Sequence, residues 1–213
     1  MPELSGSRVL VTGATGFLGR RLVERLVVQG GAEVRILART LARARALARF
    51  PIEVTVGDLR DATAVERAVQ GCDVVFNCAK GLGADPKARR AVDVDGVRHV
   101  LRAGGHEGVE RIVHVSTVAV LDVPRSGEYD ERTPFSNSRE PYVAGKREGH
   151  RVALAAAHEG LPVTIVQPTV VYGPGAGVYG RDVIDELGSS LMPLVDGGRG
   201  VCNAVYVDDV VSG

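Results

Sequence analysis

The segment Thr12-Gly13-Ala14-Thr15-Gly16-Phe17-Leu18-Gly19 constrains this chain more than any other. Its glycines fall between a β-branched run, residues 8–12, and a helix-like segment, residues 16–29. The first glycine suits a tight turn. The second lets the backbone approach a pyrophosphate, and the third lets helix and strand pack closely. Free N–H groups and the helix dipole at such a turn favour phosphates. Glycine spacing alone says little; the strand before it and the helix after it give it meaning. The turn therefore predicts a bound dinucleotide.

The rest of the chain repeats the same alternation. Strands are expected at 33–38, 52–56, 73–78, 111–116 and 163–167, and helices at 41–49, 62–70, 86–104 and 142–159. Nearly continuous apolar strands alternating with helices imply parallel strands covered on both faces, an α/β doubly wound sheet. Ligands of such sheets sit outside the carboxyl ends of the strands. Two stretches break the rhythm. Residues 122–141 hold three prolines and read as a long loop. From Gly173 onward the chain is glycine-rich, with a short helix expected at 181–187 and a last strand at 203–207. Asp208 then suits a helix N-cap. The expected division is a cofactor-binding domain at 1–172 and a partial substrate-binding region at 173–213, whose strand returns to the sheet.

The 213 residues suffice for one substantial core, and 45% of them are apolar, which excludes a disordered chain. Acidic and basic residues balance at 26 each, so no strong field draws the chain to nucleic acid or an anionic membrane. No run is long enough to span a bilayer, and the first residues lack the pattern of a signal peptide. Cys72, Cys78 and Cys202 have no metal-ligand spacing and read as small hydrophobes. No metal is expected, and the location is read as cytoplasmic.

The end of the second strand, Leu37-Ala38-Arg39-Thr40, carries no acid to hold ribose hydroxyls. A guanidinium there suits a 2′-phosphate, so Arg39 argues for NADP, the alternative being a solvated arginine. Asp58, after the third strand, either accepts from an adenine amino group or caps the next helix. Tyr142 and Lys146 are four residues apart on one helix face. A tyrosine is a poor base near neutral pH, and a nearby ammonium favours its phenolate. The pair can then exchange a proton with a hydroxyl or carbonyl while hydride moves to or from a nicotinamide. At the end of the fifth strand, Thr117 can bind the same substrate oxygen, with Ser116 as its competitor.

TGATGFLG (12–19), GDLRD (57–61), DVVFNCA (73–79), RIVHVSTVAV (111–120), YVAGK (142–146), PTVVYGPG (168–175) and VYVDDVV (205–211) follow one another in a familiar order. Through them the chain resembles an extended short-chain dehydrogenase/reductase of the NAD-dependent epimerase/dehydratase group. It is also similar to the dihydroflavonol reductase and 3β-hydroxysteroid dehydrogenase branch. The resemblance implies a Rossmann fold. It implies pyrophosphate binding by Gly13, Gly16, Phe17, Leu18 and Gly19, with Thr15 also on the cofactor. Arg39 is implied at the adenosine end and Asp58 and Leu59 at the adenine. Ala79, Lys80 and Gly81 are implied at the nicotinamide ribose, and Pro168, Val170 and Val171 beside the nicotinamide. Thr117, Tyr142 and Lys146 are the implied catalytic triad, with Tyr142 and Lys146 also on the cofactor. A homodimer through the two long helices is implied too. Family members usually have Asn where this chain has Asp93, and Lys80 replaces a small or apolar residue. They also continue beyond VYVDDVV into a substrate-binding lobe, largely absent from this sequence.

The expected function is NAD(P)-dependent hydride transfer to or from a small-molecule carbonyl or secondary alcohol. A sugar-nucleotide epimerase or dehydratase with tightly bound NAD is the first alternative, and Arg39 weighs against it. A non-catalytic NADP-binding regulator is the second, and the Thr117/Tyr142/Lys146 set weighs against that.

Overall fold

Hydrophobic alternation along the first strand splits the core in two. In β1 (Arg8–Thr12), Val9 and Val11 face one layer and Leu10 the other. The structure, a computed structural model, describes residues 4–83, 85–122, 128–188 and 195–213. After β1 come α1 (Phe17–Val28), β2 (Glu33–Ala38), α2 (Leu41–Ala44), β3 (Glu53–Val56), α3 (Ala62–Val69) and β4 (Val74–Asn77). Then follow α4 (Pro86–Arg90), α5 (Gly96–Glu107), β5 (Arg111–Val115), α6 (Pro141–His158) and β6 (Val163–Val166). The strands form one parallel sheet in the order β3-β2-β1-β4-β5-β6. The chain steps outward from β1 to β3 and restarts at β4 on the other side of β1. That reversal opens a crevice at the carboxyl ends of β1 and β4.

On one face, Leu22, Val23 and Leu26 of α1 cover Val9, Val11, Val34 and Ile36. On the other, α3, α5 and α6 bring Val65, Val100, Leu101 and Ala153 onto Leu10, Val75 and Ile112. Local chemistry sets the ends. Asp61 caps α3, its carboxylate accepting from Thr63 and Ala64 amides. Gly108, at φ 70°, closes α5 in the left-handed conformation. Pro141 occupies the first turn of α6, where its missing N–H costs nothing.

Five expectations are corrected. The helix at 41–49 ends at Ala44 and tightens into a 3₁₀ turn, Arg45–Leu47. The helix at 86–104 is interrupted by a π turn, Ala91–Asp95, where the Gly96 amide bonds back to the Ala91 carbonyl. The strand at 203–207 is β8 (Ala204–Tyr206), and it does not return to the main sheet. It pairs in parallel with β7 (Val170–Tyr172), their Tyr172 and Tyr206 rings meeting edge-on at 5.4 Å. Asp208 caps nothing: it lies inside the short α8 (Val207–Ser212) and forms a two-pronged ion pair with Arg21 of α1. The short helix expected at 181–187 is α7 (Asp182–Gly188), entered through another π turn. Of the long loop, 123–127 lie outside the described residues, as do 189–194 of the glycine-rich stretch. Cys72 is buried, Cys78 half-buried and Cys202 exposed, so the hydrophobe reading fails for Cys202. Among the described residues no helix is long and apolar enough to cross a membrane.

Candidate active site

The glycine turn leaves β1 with Gly13 at φ +68°, a conformation that L side chains rarely adopt. A Cβ there would lie 2.6 Å from the Ala79 nitrogen, and a Cβ on Gly19 would strike the Gly13 carbonyl. The turn is thus pressed against the loop after β4 on one side and against its own helix on the other. The Gly16 amide bonds to the Gly13 carbonyl at 2.9 Å, and Gly16 caps α1 without any side-chain hydrogen bond. The first amides of α1 are left for a ligand, and its first turn carries no acidic residue to compete with an anion. A pyrophosphate fits this cradle. Phe17 reaches toward Gly175 across the crevice.

At the outer end of the crevice Arg39 is exposed, and Thr40 is committed to capping α2. The Asp58 carboxylate is held by Arg60 through contacts of 2.8 and 2.9 Å. That guanidinium, with a smaller contribution from Arg39, keeps the Asp58 carboxyl below the usual carboxylate range. Since Asp61 caps α3, the capping alternative for Asp58 falls away. Leu59 is buried under Gly96, and its carbonyl meets His99 Nδ1 at 2.9 Å.

At the inner end the loop after β4, the end of β5 and α6 converge. Glu140, just before α6, accepts from the amides of Tyr142 and Val143 at 3.0 and 2.8 Å. These bonds hold the Glu140 carboxyl below its ordinary value. They fix the first turn of α6 and so the direction of Tyr142. One turn on, Lys146 is only 5% exposed, its Nζ donating to the carbonyls of Val115 (3.0 Å) and Ala79 (3.3 Å). Burial lowers its pKa, partly offset by the charge of Asp93. The Thr117 hydroxyl faces the Tyr142 phenol. Burial pushes that phenol above its ordinary pKa, the neighbouring Thr117 hydroxyl opposing. Lys80 Nζ lies 6.0 Å from the centre of the Tyr142 ring.

Ser116, the competitor of Thr117, is engaged elsewhere: its hydroxyl meets His150 Nδ1 at 2.9 Å. Successive residues at a strand end point to opposite sides, and only Thr117 points to Tyr142. Pro168 sits across from this group, its carbonyl accepting from the Val118 amide at 3.2 Å. Val170 and Val171 lie beyond it in β7, apart from the main sheet.

Sequence reasoning missed several residues around the site. Glu140 is visible in retrospect as the acid before Pro141. Tyr179, close enough to bear on the Tyr142 phenol, had no local signal. Thr12, Asn77 and His114 form a buried chain across β1, β4 and β5. In it Thr12 donates to Asn77 at 2.7 Å, and Asn77 meets His114 Nδ1 at 3.2 Å.

The sequence pattern of the NAD dependent epimerase/dehydratase family matches residues 9–213. The chain belongs to that family. It is 32% identical to a 4-hydroxy-2-methyl-3-oxo-4-farnesyl-3,4-dihydroquinoline-1-oxide ketoreductase of Stigmatella aurantiaca, over 97% of this chain and 63% of that one. It is 30% identical to a 3 beta-hydroxysteroid dehydrogenase/Delta 5-->4-isomerase of Mycobacterium tuberculosis, over 84% and 51%. In fold it resembles a dTDP-glucose 4,6-dehydratase of Streptomyces venezuelae, solved with NAD. The TM-score is 0.82 at 29% identity, covering 96% of this chain and 70% of that one. The chain spans from 49% to 63% of the length of the curated relatives it matches. The doubly wound sheet and its glycine turn are therefore those of a Rossmann fold.

Proposed function

We propose that this chain carries the cofactor site and catalytic group of an NADP(H)-dependent oxidoreductase acting on a carbonyl or secondary alcohol. The observation that carries the reading is the convergence of Thr117, Tyr142 and Lys146 beside the loop after β4. Residues 1–172 form the cofactor-binding unit, and 173–213 contribute to substrate binding. The amides at Phe17, Leu18 and Gly19 hold the pyrophosphate, with Gly13, Thr15 and Gly16 completing the turn. Arg39 takes the 2′-phosphate, and Asp58 and Leu59 border the adenine. Ala79, Lys80 and Gly81 line the nicotinamide ribose, with Pro168, Val170 and Val171 beyond. When bound, the nicotinamide supplies or accepts the hydride.

The chain's own residues manage the proton. Thr117 orients the substrate oxygen, and Tyr142 donates a proton to it during reduction. A phenol held above its ordinary pKa stays protonated near neutral pH, as a proton donor must. The Lys146 ammonium, anchored on two carbonyls, stabilises the phenolate left behind. In the reverse direction the phenolate is the base, so alcohol oxidation rises with pH into the alkaline range while reduction falls.

Replacing the phenol by Tyr142→Phe keeps NADPH affinity and lowers turnover by roughly 10²–10⁴-fold. Equal NADPH oxidation by parent and variant across a carbonyl panel would overturn the reading. The likeness to a dehydratase solved with NAD favours a second reading, an epimerase or dehydratase. Released nucleotide from the purified, heat-denatured protein separates the two: retained NAD supports the second. A homodimer through α5 and α6 is part of the proposal, and sedimentation equilibrium tests it.

A further inference from the structure

Asp93 is a buried carboxylate, 2% exposed, placed by the π turn between α4 and α5. Its Oδ1 accepts the Gly81 amide at 2.9 Å. Its Oδ2 is buried without a hydrogen-bond partner among the described residues. A Cβ on Gly81 would lie 2.9 Å from Oδ2, and one on Gly145 would lie 3.1 Å from it. The carboxylate therefore fills a slot between the loop after β4 and the catalytic face of α6. Arg89 braces the same loop, its Nη1 bonding the Gly81 carbonyl at 3.0 Å.

We propose that Asp93 is a positioning residue: one oxygen fixes the Gly81 amide, and its charge is the counter-charge of the buried Lys146 ammonium. Lys146 needs one, because two carbonyl contacts do not replace the hydration a buried ammonium gives up. The groups facing it are Asp93 from the π turn, Cys78 and Lys80 from the end of β4 and its loop, and His114 from β5. Tyr142 stands one turn back on its own helix. The Cys78 thiol is pushed up to about 12 by burial and is neutral near pH 7. His114 is pushed down to about 3, also by burial, and is neutral as well. Lys80 adds a like charge. Among the described residues facing Lys146, only Asp93 supplies a negative charge. The same charge opposes the Tyr142 phenolate, so Asp93 sets the balance between the two members of the pair. An amide in its place keeps the Gly81 bond and removes the charge.

The catalytic consequence rests on the oxidoreductase reading; the electrostatic pairing does not. The chain has three lysines, Lys80, Lys87 and Lys146, so ¹⁵N-lysine labelling gives three Nζ signals, assigned with Lys80→Arg and Lys87→Arg. In Asp93→Asn the Lys146 midpoint is expected to fall by roughly one pH unit or more. Asp93→Ser, which also removes the charge, gives the same shift and serves if the amide variant does not fold. An unchanged Lys146 midpoint in either folded variant overturns the proposal. In turnover, the alkaline fall of NADPH-dependent reduction is expected to begin at lower pH in Asp93→Asn. A shifted midpoint in a parent that reduces no carbonyl sinks the oxidoreductase reading and leaves the pairing standing.

Discussion

Arg39 meets solvent at the end of β2, and Asp58, the carboxylate it acts on, is occupied by Arg60. A guanidinium in that position is available to a phosphate. Charge-assisted hydrogen bonds contribute about 1.5–3 kcal/mol, which is roughly 10- to 100-fold in affinity. Arg39→Ala is accordingly expected to weaken NADPH binding by that factor and leave NADH almost unchanged. Fluorescence titration with the two cofactors checks it, and equal losses for both would remove Arg39 from the 2′-phosphate. At this scale residue types in the motifs were legible, but partner choices were not. Asp58 and Asp61 read alike along the chain, and geometry gave the cap to Asp61, whose carboxylate reaches the amides two and three residues on. Ser116 and Thr117 were likewise interchangeable until the strand end turned one toward His150 and the other toward Tyr142.

The π turn decides how the elements around the site fit. It lets the Asp93 carbonyl approach α6 so closely that a Cβ on Gly149 would collide with it. Gly149→Ala is expected to destabilise the fold by about 1–3 kcal/mol, because two helix backbones must separate. A lower urea midpoint with unchanged slope checks this; an unchanged midpoint would show that α6 gives way freely. Such a turn leaves no mark on the hydrophobic pattern, so residues 86–104 read as one helix. The strands of the main sheet lie within a residue or two of the sequence expectation because each is a run rich in β-branched residues, buried in the central strands and half-buried at the edges. β7 and β8 are three residues each, too short for a pattern to show which partner they take. At the other end of the chain, the Arg21–Asp208 pair ties α8 to α1, and Arg21 holds the Asp208 carboxyl below its ordinary value. A pair that is only half-buried contributes little to global stability. Asp208→Asn should therefore speed amide exchange in α8 and leave the Tm nearly unchanged.

Across the whole molecule, the sheet's inner strands are linked by the Thr12–Asn77–His114 chain, which lies on the same face as α6. His114 is 2% exposed, and Asn77 donates to its Nδ1, so the neutral ring keeps its proton on Nε2. Desolvation, aided by the charges of Lys146 and His150, pushes the folded-state pKa down to about 3 from 6.5. Between these values the unfolded chain binds a proton that the folded chain refuses. Stability from this group is thus fully present above pH 6.5 and is lost as the pH falls toward 3. Each unit in that window costs at most about 1.4 kcal/mol. The expected outcome is a urea midpoint that drops between pH 7 and pH 5. The drop should be smaller in His114→Asn, which keeps a polar group beside Asn77 but cannot titrate. Identical pH dependence in the two proteins would mean that His114 takes up its proton in the folded state, and that the layer between the sheet and α6 admits water.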